Sequence, residues 1–90
     1  MDILVTQEFV GICSKIVAER RTDDEWSQIE SDDMFQSDSF VGGFDATEMA
    51  FCFSYYDPSG HEYWFQLTTS EIEDVAAGRV TSISARLAKK

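Results

Sequence analysis

Met49-Ala50-Phe51-Cys52-Phe53-Ser54-Tyr55-Tyr56-Asp57-Pro58-Ser59-Gly60-His61-Glu62-Tyr63-Trp64-Phe65-Gln66-Leu67 is the stretch that organises the chain. Met49, Phe51, Phe53 and Tyr55 alternate with Ala50, Cys52, Ser54 and Tyr56. A period of two belongs to a strand with one buried face. Asp57-Pro58-Ser59-Gly60 then reads as a turn, because proline presets φ at the second position and glycine accepts the positive φ. With a three-residue loop ending in a glycine bulge, Asp57 faces His61. The return strand is 61–67. Tyr55 then pairs with Tyr63, Phe53 with Phe65 and Phe51 with Leu67, so all six lie on one face. Turn chemistry and apolar pattern predict the same hairpin. Its other face carries Cys52, Ser54, Tyr56, Glu62, Trp64 and Gln66. Trp64 is a large aromatic for a solvated face and needs cover, from a helix of this chain or from a partner.

On the N-terminal side, Val5, Phe9, Ile12, Cys13 and Ile16 recur at helical spacing and form one apolar stripe. Asp2 or Thr6 is the expected N-cap. Arg20 and Arg21 suit the negative end of the helix dipole. Thr22-Asp23-Asp24-Glu25 has the form of a capping box and predicts a short second helix with Trp26 and Ile29 facing inward. Three acids in its first turn have a structural explanation there. Residues 31–39 read as a loop pinned at Met34 and Phe35. Residues 40–44 read as a short strand whose glycines, Gly42 and Gly43, predict a bulge or bend, followed by a turn at Asp45-Ala46-Thr47.

Beyond the hairpin, Thr68-Thr69-Ser70-Glu71 starts a third helix with Ile72, Val75 and Ala76 on its apolar side. Gly78 ends it. Thr81, Ile83, Ala85 and Leu87 alternate as a last strand, and Lys89 and Lys90 form a tail. The expectation is a single α+β domain over 1–90 in the order α-α-β-β-β-α-β. Its small, mainly antiparallel sheet of about 3–4 strands, the hairpin central, packs against two or three helices.

Charge is laid out unevenly. The net charge is −10, and no Lys or Arg occurs in the 57 residues of 22–78, which hold fourteen acids. Such asymmetry implies a one-signed surface that repels nucleic acid and anionic membrane and attracts basic proteins. No apolar run approaches the length of a membrane-spanning helix. Met1-Asp2-Ile3-Leu4 lacks the features of a secretory signal. With Cys13 and Cys52 as the only cysteines, the expectation is a cytoplasmic protein with reduced thiols.

Chemistry-bearing motifs are sparse. One histidine, His61, and two distant cysteines make no zinc pattern. The run Asp32-Asp33-Met34-Phe35-Gln36-Ser37-Asp38 lacks the glycine and glutamate of a calcium loop. A Cys52–His61 pair is separated by the hairpin register, which sets Cys52 opposite Gln66. The expectation is therefore no enzyme, no metal and no cofactor. The remaining signal is acid with interleaved aromatics: Asp23, Asp24, Glu25, Glu30, Asp32, Asp33 and Asp38 within sixteen residues, beside Trp26 and Phe35. In size and charge, with no shared motif, the chain resembles small acidic inhibitors: immunity proteins that neutralise nuclease toxins and phage-encoded blockers of restriction or CRISPR complexes. That resemblance implies a nucleic-acid mimic that blocks the basic site of a nucleic-acid-binding partner. The acids named above, with Phe35, Tyr56, Glu62 and Trp64, are the expected contact residues, Trp26 a further candidate anchor. The alternative is a structural or regulatory interaction domain, homodimeric through the Trp64 face. A solvated face that only keeps the protein soluble accounts for the same acids.

Overall fold

The computed structural model describes residues 1–29 and 34–88. The elements, in order, are β1 (Asp2–Leu4), α1 (Gln7–Glu19), α2 (Asp23–Ser27), β2 (Phe35–Gln36), β3 (Phe40–Asp45), β4 (Ala50–Tyr56), β5 (Glu62–Leu67), α3 (Thr69–Ala76), β6 (Ser82–Ser84) and β7 (Arg86–Leu87). The hairpin β4–β5 is antiparallel with Phe51 opposite Leu67, Phe53 opposite Phe65 and Tyr55 opposite Tyr63, the register that the turn and the apolar pattern predict. Asp57 fixes the turn. Its Oδ1 accepts from the amides of Ser59 and His61, both at 2.9 Å, and Gly60 takes φ +88°.

The surrounding architecture differs from the expectation. The order is β-α-α-β-β-β-β-α-β-β, not α-α-β-β-β-α-β, and there are two sheets. Five strands lie in the order β2-β3-β4-β5-β7, and a separate two-stranded ladder joins β1 to β6. A sheet of three or four strands is therefore too small. Phe35 and Gln36, read as loop, add an edge strand, pairing with Gly42 and Val41. Asp2–Leu4 precedes the first helix as a strand rather than capping it, and Thr6 is the N-cap, without a side-chain hydrogen bond. The last strand divides. Ser82–Ser84 pairs with β1, whereas Arg86 and Leu87 pair with Trp64 and Tyr63 of β5. Ala85 stands between them and is bonded through its amide to the Met1 carbonyl at 2.8 Å.

The glycines of β3 make no bulge, for the β3–β4 ladder runs unbroken from Phe40–Tyr55 to Asp45–Ala50. Gly42 instead permits a close approach. A Cβ there would sit 2.1 Å from the Cys52 carbonyl oxygen and 2.6 Å from the Phe53 ring. Met49 lies outside the β4 ladder, at φ +52°, in a turn where Asp45 Oδ1 accepts from the amides of Thr47 and Glu48.

The capping box predicted at α2 is formed, and a second one, not singled out in the sequence, starts α3. Thr22 and Glu25 exchange hydrogen bonds at the start of α2, and Thr68 and Glu71 do so at α3. Each satisfies helix N–H groups that have no intrahelical partner. The helices lie on one face of the large sheet. Phe9 of α1 meets Phe40, Phe53 and Phe65 with ring centroids 4.8–5.5 Å apart. Trp26 of α2 meets Phe35, Phe44 and Phe51 at 5.2–6.5 Å. Cys13, Ile72 and Val75 are fully buried in the same core.

Candidate functional site

Period two in the strands sends every second side chain away from the helices. On that side the registers place Val41, Gly43 and Asp45 of β3 beside Cys52 and Ser54 of β4, Glu62, Trp64 and Gln66 of β5, and Arg86 of β7. Among the described elements no helix covers this face. Its residues, with Glu48, Ser84 and Ala85, line an open trough of about 1040 Å³. Gly43, without a side chain, deepens the floor.

Trp64 is 39% exposed in this trough and Tyr56, at the end of β4, 42%. The indole is anchored by its edge. Nε1 donates to Glu62 Oε2 at 2.7 Å, and the Ser54 hydroxyl donates to the same oxygen at 2.8 Å. Arg86 lies over the ring, its guanidinium carbon 5.7 Å from the centroid. Glu48 Oε1 accepts from Gln66 Nε2 at 3.4 Å. Among the described residues, three carboxylates, Asp45, Glu48 and Glu62, thus line the trough against one cation, Arg86.

The thiols are not activated. Burial pushes the Cys13 thiol up to about 12. Cys52 is also raised, first by burial and then by the charges of Asp45 and Glu48, while a hydrogen bond with Gln66 acts in the opposite direction. A nucleophilic cysteine needs the reverse, a stabilised thiolate. His61 sits beside the turn with Nδ1 3.4 Å from Asp57 Oδ2. Among the described residues no three His, Cys, Asp or Glu side chains group as a metal would require. No described helix is long and apolar enough to cross a membrane.

The residues expected to form one contact surface fall on different sides of the molecule. Asp23 and Asp24 are exposed on α2, on the helical side of the sheet. Asp23 Oδ1 accepts from the Thr69 hydroxyl of α3 at 2.5 Å. Glu25 serves the capping box; the amide and then the hydroxyl of Thr22 hold its carboxyl below the usual range, burial opposes this, and Arg21 adds to it. Glu30, Asp32 and Asp33 lie outside the described residues. Asp38 is exposed in the turn between β2 and β3. Phe35 is half-buried and packs inward against Trp26 and Phe51, and Trp26 itself is 1% exposed, a core residue rather than an anchor. Tyr56, Glu62 and Trp64 are the predicted contacts that share the open face.

Sequence reasoning missed Asp45, Glu48 and Arg86. Asp45 and Glu48 belong to a turn whose direction the spacing does not reveal, and Arg86 reaches the trough only through the unforeseen β5–β7 pairing. The alternation of polar Ser82, Ser84 and Arg86 with Ile83, Ala85 and Leu87 was the available signal that Arg86 lies on an outer face. The chain matches no family model, no curated protein sequence and no solved structure.

Proposed function

We propose that this chain is a small acidic protein-binding inhibitor that occupies the basic nucleic-acid-binding site of a partner protein, and that it docks through the open face of its large sheet. One observation carries the reading: a sheet face left uncovered, with an exposed Trp64 at its centre and carboxylates around it. Exposed aromatics in a concave, partly apolar surface are where interface energy concentrates. A surrounding negative field accelerates encounter with a basic partner and makes it salt-dependent. The acids on α2 contribute to that field from the opposite side without needing contact. Unpaired Cys13 and Cys52 suit a reducing, cytoplasmic compartment.

The second reading is self-association through the Trp64 face. The same uncovered face favours it, but a two-fold contact would bring the carboxylates of one copy against those of the other, so the basic partner is preferred.

Capture from lysate at low salt, released by a salt gradient, tests the proposal when run beside Glu48→Lys and Trp64→Ala. The expected outcome is a basic nucleic-acid-binding protein retained by the parent chain, released at moderate salt and largely lost from both variants. Retention unchanged by both substitutions would overturn docking at this face. An empty eluate together with a dimer by light scattering would overturn the inhibitor reading in favour of self-association.

A further inference from the structure

Trp64 already holds a cation. Arg86 stands directly opposite it in the β5–β7 ladder, and the guanidinium lies over the indole. The ring is prepared for this. Its Nε1–H points at Glu62 Oε2, which the Ser54 hydroxyl also engages. Two consequences follow for any cation above the ring. The plane is fixed without a rotamer search. A hydrogen bond to an anion also shifts negative charge toward the indole face that attracts cations.

We infer that Trp64 is a guanidinium platform, occupied by the chain's own Arg86 in isolation, which an arginine of a basic protein partner takes over on binding. The inference rests on docking at the open face. Charge complementarity selects a cationic occupant, because Asp45, Glu48 and Glu62 line the trough and, among the described residues, Arg86 is the one cation set against them. The ring geometry selects arginine over lysine. A guanidinium is planar and weakly hydrated and stacks on an aromatic face, whereas an ammonium keeps its water. Exchange also leaves the fold intact. Arg86 is exposed on an edge strand of two residues, so its side chain can rotate away while the β7 backbone stays paired. The intramolecular contact thus holds the platform in shape until a partner replaces it.

The test uses fluorescently labelled hexa-arginine and hexa-lysine peptides with the full chain at low salt, read by anisotropy. The parent chain is expected to bind hexa-arginine more tightly than hexa-lysine. Arg86→Met removes one positive charge, which strengthens binding of both peptides. Loss of the competing guanidinium should then raise the arginine preference by about two- to five-fold more. Trp64→Leu should abolish the preference while leaving salt-sensitive binding, and Trp64→Phe, which preserves an aromatic face, should retain part of it. An equal gain for both peptides with Arg86→Met, or a preference that survives Trp64→Leu, overturns the platform. If both peptides bind equally and salt-sensitively to the parent chain, the platform falls while the proposed function stands. If neither binds, both fall.

Discussion

The two faces of the large sheet are made by alternate residues of the same strands, and they solve opposite problems. Toward the helices, Phe51, Phe53, Phe65 and Leu67 are at most 6% exposed, interlocked with Phe9 and Trp26. Away from them, Cys52, Ser54, Trp64 and Gln66 surround a trough that nothing in the described chain fills. Each face has one tryptophan-centred cluster. Trp26 is packed by three phenylalanine rings, with the Arg21 guanidinium carbon 5.6 Å from its centroid, whereas Trp64 is held by its one hydrogen bond to Glu62 and by the Arg86 guanidinium. Both rings carry a guanidinium, but Trp26 is 1% exposed under its ring neighbours while Trp64, anchored at its edge, stays 39% exposed. That difference, rather than composition, separates the packing face from the open face.

Substitution should expose the contrast most sharply at Phe9, which touches three rings of the core. Phe9→Ala is expected to cost about 3–5 kcal/mol of stability, whereas Trp64→Ala is expected to cost less than about 1 kcal/mol. Urea titration of both variants measures the gap, and comparable losses would mean that the open face is a second core. A smaller loss should follow Gly42→Ala. The added methyl would press on the Cys52 carbonyl and the Phe53 ring, so a loss of about 1–3 kcal/mol is expected, seen as a lowered melting temperature. An unchanged melting temperature would show that β3 and β4 move apart readily.

Acid should act on the turns and caps, and this is the smallest effect. Burial pushes the Asp57 carboxyl up, but the amides of His61 and Ser59 and the charge of His61 outweigh it and hold the group below the usual range. Glu25 is lowered as well. A group whose folded pKa is depressed stabilises the fold above its unfolded pKa, and that contribution disappears as pH falls through the folded value. The melting temperature should therefore fall slightly below the ordinary carboxylate range. Asp57→Asn should flatten that fall, because its charge no longer titrates. A melting temperature that rises on acidification, as relief of the −10 net charge would produce, would show that self-repulsion outweighs these local bonds.

Legibility followed the number of constraints acting on each segment. The hairpin was readable because the turn residues and the alternation of Phe51, Phe53, Phe65 and Leu67 demanded one register independently. The capping box at α2 was readable because Thr22 with Glu25 forms a local bond that tertiary context does not alter, whereas at α3 Thr68, Thr69 and Ser70 competed as caps and only the structure singles out Thr68. Asp2–Leu4 and Phe35–Gln36 were not, since two or three residues carry no period. The alternation Thr81, Ile83, Ala85 and Leu87 read as one strand, yet the chain there changes partners at Ala85 and leaves Leu87 57% exposed. At the site, Trp64 was legible as an aromatic on the wrong face for burial. Its neighbours Asp45, Glu48 and Arg86 depended on pairings between distant segments. The acidic run suggested one surface, but two of its members, Asp23 and Glu25, are engaged in bonds within the helical layer.

The strand that changes partners has a kinetic consequence. Pairing Asp2 with Ser84 closes almost the whole chain into a ring, and loop-closure entropy makes such a contact costly until the intervening elements are in place. High sequence separation slows folding for the same reason. Just beyond that clasp, β7 pairs with Tyr63 and Trp64; until it does, β5 presents a bare strand edge there, an edge of the kind that invites pairing between molecules. The end of the chain therefore serves the molecule twice, tying down the first strand through β6 and covering part of the β5 border through β7.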